Sequence, residues 1–190
     1  MFNKLHTCIM IQIMQHKGLP DRWITWMKMI FRSGTSAALL NGVPGKVFHC
    51  KLGVRQGNPL SPLLFVMAAD FLQTILNAAK QQGILSLPVD LPHDQDFPIL
   101  QYADDTLIIM EGCARQLFIW KALLNTFAAS TGLRVNFSKS MMVPTNMSEE
   151  RLQHLSATFG CSVGHLPFTY LGLPLGLTKP KVDDFFAPGH

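Results

Sequence analysis

Two adjacent carboxylates, Asp104 and Asp105, follow Tyr102 and Ala103 between two apolar runs, Ile99-Leu100-Gln101 before them and Thr106 to Met110 after them. Each run is about one strand long and rich in strand-forming residues. The spacing predicts a hairpin with the acidic pair at its tip. Paired carboxylates there offer oxygen ligands to a hard divalent cation such as magnesium. Asp is also an ordinary turn residue, because its side chain bonds to nearby backbone amides; taken alone, the tetrapeptide is more often a turn than a site. Upstream lies Gly53-Val54-Arg55-Gln56-Gly57-Asn58-Pro59-Leu60-Ser61-Pro62, dense in Gly and Pro and running into a long apolar segment. A loop ahead of a helix N-terminus presents backbone N–H groups and a positive dipole end, which suit phosphate. Arg55 adds a fixed charge, and Gln56 can hydrogen-bond a base or sugar edge. An ordinary strand-to-helix connection has the same composition.

The elements that must position these residues follow from periodicity and punctuation. Lys4 to His16 reads as a helix with Leu5, Ile9 and Ile13 on one stripe, closed by Lys17-Gly18. Pro20-Asp21 opens a second helix. Its Trp23, Trp26, Met27, Ile30 and Phe31 fall on one face, which predicts core packing for the tryptophans, with base stacking as the alternative. Ser36 to Leu40 and Lys46 to Leu52 read as strands around a turn at Asn41 to Gly45. A helix is expected over Leu63 to Lys80 and a surface loop over Ser86 to Pro98. Another helix spans Ala114 to Ser130, with Leu117, Trp120, Leu123, Leu124 and Phe127 inward. Arg134 to Val143 reads as a strand, and Ser148 as the cap of a helix over Glu149 to Phe159. Phe168 to Gly176 is a strand-like turn, followed by a polar tail whose Asp183-Asp184 suits a solvated end.

At 190 residues, 48% hydrophobic and 15% charged, the chain has the length and composition of one folded domain rather than a disordered segment. Its formal charge of +4 suits a polyanionic partner without requiring one. Cys8, Cys50, Cys113 and Cys161 lack zinc-ligand or redox spacing, so free thiols in a reducing compartment are expected. No secretory signal is evident. The apolar run from Pro59 to Ala79 carries Asp70, Gln73, Thr74 and Asn77, which favours a buried helix over a membrane span. An intracellular, non-secreted protein with no membrane partner is expected.

GVRQGNPLSPLLF at 53–65, YADD at 102–105, GLRVNFSKS at 132–140 and TYLGLPLG at 169–176 occur in that order. Together they resemble the palm motifs of a reverse transcriptase, an RNA-directed DNA polymerase, of the non-LTR (LINE-like) retrotransposons of plants. The resemblance runs from about Met1 to Gly176. It implies a partial palm domain over 1–176 with a polar tail at 177–190. The implied fold is α+β, a small antiparallel sheet with helices on one face. By resemblance, Asp104 and Asp105 are catalytic carboxylates and magnesium ligands, and Tyr102 lies near the primer end and incoming nucleotide. Arg55, Gln56 and Gly57 contact template and nucleotide, Lys139 supports the nucleotide's phosphates, and Tyr170, Leu171 and Gly172 grip the primer. The implied partners are an RNA template, a DNA primer and deoxynucleoside triphosphates, with a location in nucleus or cytoplasm. The implied reaction is nucleotidyl transfer to a primer 3′-hydroxyl with two magnesium ions.

One position departs from the pattern. The family uses a third carboxylate, at the end of a Phe-Asp pair preceding the first helix. Counting back from His16-Lys17-Gly18 places Phe2-Asn3 there. An amide is neutral and is a poor substitute for an anionic ligand. With the leading strand cut at Met1 and fingers and thumb missing, a truncated palm that does not polymerise is expected. The alternative is a non-catalytic retrotransposon remnant that at most binds nucleic acid.

Overall fold

The computed structural model describes residues 5–49, 59–88 and 95–176. The chain divides into two compact units, one formed by residues 1–110 and 122–135 and the other by 111–121 and 136–190.

The first unit is built on three helices, α1 (Thr7–His16), α2 (Asp21–Ser33) and α3 (Ser61–Gln81), together with the later turns of α4 (Ala114–Thr131). Along α3, Ser61, Leu64, Ala68, Leu72, Leu76 and Ala79 are buried, a stripe at helical spacing that faces the core. Leu5, Met10, Met14 and Met27 pack into the same unit as fully buried side chains. His6 ties the start of α1 to α4: its N–H donates to the Thr131 carbonyl at 2.8 Å, and Nδ1 lies 2.9 Å from the Ser130 carbonyl. Phe71 and Phe127 bring α3 and α4 together, with ring centroids 6.4 Å apart.

By length and composition α3 could cross a membrane. Its polar residues nevertheless have partners within the unit: Asp70 pairs with Lys17, and Gln73 and Asn77 bond to the segment that follows the helix. The helix also starts two residues earlier than expected, with Pro62 in its first turn, where a missing N–H costs nothing.

Two expectations fail in this unit. The inward face of α2 is only partly the predicted one: Met27 of that face is buried, with Ile24 beside it, and Trp23 and Phe31 are half-buried, whereas Trp26 is 43% and Ile30 is 37% exposed. Apolar residues occupy both sides of this helix, so period alone did not select the buried side. The expected turn at Asn41 to Gly45 is also tighter. β2 (Leu39–Leu40) pairs with β3 (Val43–Pro44) around the two residues Asn41-Gly42, so Val43 and Pro44 are strand residues. Outside that hairpin, β1 (Thr35–Ser36) pairs with β4 (Phe48–His49).

The second unit holds the first turns of α4, α5 (Glu149–Phe159) and two small strand pairs. Leu117 and Trp120 of α4 are fully buried, as are Leu152 and Leu155 of α5. Phe137 meets Phe159 edge-on at 5.1 Å, and Lys121 donates to the Thr158 carbonyl at 3.0 Å. Ser148 occupies the N-cap of α5 but makes no side-chain capping bond. At the other end Gly160, at φ +86°, closes the helix in the left-handed conformation, with its N–H on the Ser156 carbonyl.

The strand expected over Arg134 to Val143 is mostly absent. Residues Phe137–Lys139 form a single 3-10 turn, and only Met141–Met142 (β7) is extended, pairing in parallel with Ser162–Val163 (β8). Local polar groups explain the change. The Asn136 carbonyl accepts from Lys139 N–H at 3.1 Å and from Ser140 Oγ at 3.0 Å, and its side chain accepts from Ser138 Oγ at 2.7 Å. Such bonds compete with a strand ladder.

The mixed helix and strand content agrees with the α+β expectation. The strands do not join into one sheet; among the described residues they form five two-stranded ribbons, four antiparallel and one parallel. Among the described cysteines, Cys8, Cys113 and Cys161 are free thiols.

Candidate active site

The acidic pair is positioned from α3 outward. Phe97 is fully buried, and the helix holds its backbone on both sides. Its N–H donates to Asn77 Oδ1 at 2.8 Å, and its carbonyl accepts from Gln73 Nε2 at 3.0 Å. The two amide side chains are one helical turn apart and bond to each other at 3.1 Å. A backbone N–H can only donate, so the Asn77 oxygen must face Phe97. Asn77 Nδ2 then donates to Asp96 at 2.7 Å, and Lys80 Nζ donates to the Gln95 carbonyl at 2.5 Å. Residues 95–97 are thereby fastened along α3 just before the chain turns into the hairpin.

The hairpin forms as expected. β5 (Ile99–Tyr102) and β6 (Asp105–Ile108) are antiparallel, with Tyr102 opposite Asp105 and Ile99 opposite Ile108. Ala103 and Asp104 form the two-residue loop. Ala103 adopts φ +49°. Both primed hairpin turns require a positive φ at this first central position, and a residue with a Cβ is strained there by about 1 kcal/mol.

Side chains alternate along a strand. Ile99, Gln101, Thr106 and Ile108 therefore share one face, and Gln101 Nε2 reaches the Ala69 carbonyl of α3 at 3.4 Å. Leu100, Tyr102, Asp105 and Leu107 share the other, on which Leu100 is 57% and Tyr102 is 64% exposed. Asp104 and Asp105 are exposed, and among the described residues neither carboxylate has a side-chain hydrogen bond or an ion pair. The site is thus an open anionic tip beside an exposed phenol, on a hairpin whose other face is anchored.

The remaining candidates lie elsewhere. Lys139 ends the 3-10 turn of the second unit, exposed and without an ion pair among the described residues. Tyr170, half-buried, closes β9 (Phe168–Tyr170), which pairs with β10 (Leu173–Leu175) around the loop Leu171-Gly172. Those two loop residues have φ +51° and +81°, the pattern of a type I′ turn. Asn3, Arg55, Gln56 and Gly57 lie outside the described residues.

The sequence reading missed the helix residues that place the hairpin. In the sequence Gln73 and Asn77 stand out only as polar breaks in an apolar run. Their spacing of four was the available signal, because it puts two amides on one stripe of the helix.

Residues 1–175 match the family described as reverse transcriptase (RNA-dependent DNA polymerase). The chain belongs to the reverse transcriptase family. It is also 34% identical over 68 residues to an uncharacterized mitochondrial protein of Arabidopsis thaliana, covering 36% of this chain and 56% of that protein. The chain thus spans about half the length of the curated relative it matches.

For a reverse transcriptase, the donor chemistry at Asp104 and Asp105 suits the magnesium that the family generally uses. Both donors are anionic oxygens, and no protein cation competes for them among the described residues. Magnesium binds through one or two carboxylates plus substrate phosphates and keeps several waters. Among the described residues no group of three or more His, Cys, Asp or Glu side chains converges, so the pair has no third protein ligand there.

Proposed function

We propose that the chain is the palm portion of a plant-type non-LTR retrotransposon reverse transcriptase, with Asp104 and Asp105 as its metal-binding carboxylates. The observation that carries this reading is the Tyr-Ala-Asp-Asp tip: a family match runs through it, and both carboxylates are exposed and unpaired. Bound there, magnesium would supply charge stabilisation for the attacking and leaving oxygens of nucleotidyl transfer. Tyr102, on the same face as Asp105, contributes an exposed aromatic surface for the primer end or incoming nucleotide. Arg55, Gln56, Gly57 and Lys139 contact template, nucleotide and phosphates. The Tyr170-Leu171-Gly172 hairpin meets the primer backbone. The partners are an RNA template, a DNA primer and deoxynucleoside triphosphates, and the site of action is intracellular, in nucleus or cytoplasm.

Asn3 favours the reading that this chain binds nucleic acid without polymerising, since an amide stands where the family places its first carboxylate. Primer extension on an RNA template with magnesium tests both parts, using the chain as it is, Asn3→Asp and Asp104→Ala. No incorporation by the unaltered chain is expected, alongside binding that weakens steeply with salt. Incorporation by the unaltered chain that disappears in Asp104→Ala refutes the inactivity and keeps the site. Incorporation that survives Asp104→Ala refutes the site.

A further inference from the structure

Beside the buried face of α2 lies an aromatic cluster in which Trp26 is exposed and Trp23 half-buried. Trp23 and Trp26 meet edge-on with ring centroids 6.3 Å apart, and the Arg22 guanidinium lies 4.8 Å from the Trp26 centroid. With Leu19 and Pro20 these residues line a groove of about 320 Å³. That volume, at the low end of about 300–1,000 Å³ for small-molecule sites, has room for a planar ring. Met29, 53% exposed, and Ile30 continue the surface along the helix.

We infer that this groove is a base-stacking site for single-stranded nucleic acid, separate from the hairpin tip. The inference rests on the nucleic-acid-binding reading above and adds a contact to it. Charge selects the occupant. Of the cations on α2, Arg22 alone stands on this side, one turn before Trp26, and among the described residues it is in no ion pair; Lys28 and Arg32 lie with Asp21 on the opposite side of the helix. An aromatic pair with an unneutralised cation beside it is a combination that holds a base and its phosphate together, because stacking supplies contact area while the cation reaches the backbone. A wholly apolar partner would leave Arg22 without an anionic partner.

The test is tryptophan emission of the full chain titrated with a short oligouridylate, beside anisotropy of the same oligonucleotide carrying a dye. Trp120 is fully buried, so quenching by bound bases reports on Trp23 and Trp26. Quenching is expected. Trp26→Ala should weaken binding by about 5- to 150-fold, the range for losing one stacked base, and Trp26→Phe should recover most of it. Arg22→Gln, a change at an exposed position, should weaken binding and flatten its salt dependence. Binding by anisotropy without quenching, unchanged in Trp26→Ala, overturns the inference and leaves the nucleic-acid reading intact. No binding by either signal overturns both. A dimer that Trp26→Ala dissociates, without quenching by oligonucleotide, assigns the face to a second copy and also overturns the inference.

Discussion

Asn77→Ala separates the hairpin from the helix that holds it. Three side-chain bonds are lost, to Phe97 N–H, to Gln73 and to Asp96. The largest loss is the acceptor for Phe97 N–H, a part-buried donor whose orphaning costs about 1–3 kcal/mol. The Gln73 pair along the helix adds about 0.2–0.5 kcal/mol, and the exposed bond to Asp96 adds little, about 0–1 kcal/mol. Alanine returns roughly 0.5 kcal/mol through helix propensity. The net expectation is about 2 kcal/mol, or a fall in melting temperature of about 4–8 °C for a chain of this size. Asp96→Ala removes only the exposed bond and should change stability by no more than about 1 kcal/mol. Hydrogen exchange gives the local readout. In Asn77→Ala the amides of residues 99–108 should lose protection first, while those of α5 keep theirs. A variant that melts within about 1 °C of the parent, or that retains hairpin protection, refutes the claim that Asn77 fastens this segment.

Two further outcomes are expected. Leu171 holds a left-handed φ of +51° with 47% of its surface exposed, so Leu171→Asn should leave stability unchanged or raise it by about 0.5–1 kcal/mol in urea unfolding, because Asn tolerates that conformation. If the hairpin grips primer, the same variant weakens primer binding. Burial pushes the Cys161 thiol above its ordinary value of 9.0, with its own backbone N–H and Lys121 opposing. Its alkylation rate should therefore still be rising with pH above that value. Its linkage has the matching sign: the folded state keeps the proton longer than the unfolded chain, so this contribution to stability is full below about 9 and is lost as pH rises through the folded value. A rate that levels off below that value contradicts the assignment.

Local chemistry explains which elements were legible in the sequence. Lys17-Gly18 closes α1, Pro20-Asp21 starts α2, and the acidic tip closes a hairpin between two apolar runs, as expected. Each of these signals acts within a few residues, where backbone preference decides. The strand expected after Arg134 was lost to a local effect too: Asn136, Ser138 and Ser140 satisfy one another's hydrogen bonds, and these override the apolar alternation of Leu133, Val135 and Phe137. That the strands stay in separate ribbons rather than one small sheet was not readable, since strands two to four residues long carry too little pattern to specify neighbours.

The two faces of α2 show where reading one sequence stops. Ile24 and Met27 are buried, Trp23 is half-buried, and Trp26 and Ile30 are exposed, yet a stripe through the tryptophans and one through Ile24 are both plausible core stripes. Burying the tryptophans would remove more apolar area from water, and area alone favours that choice. Arg22 stands beside Trp26 on the helix surface, however, and cannot enter a core without an anionic partner. The acid next to it, Asp21, lies on another side of the helix because neighbouring residues point in different directions. Turning Trp26 inward would therefore bring an unpaired guanidinium with it. The smaller apolar face is buried because it carries no charge. The aromatic face stays in water, where a polyanion can reach both the rings and the cation.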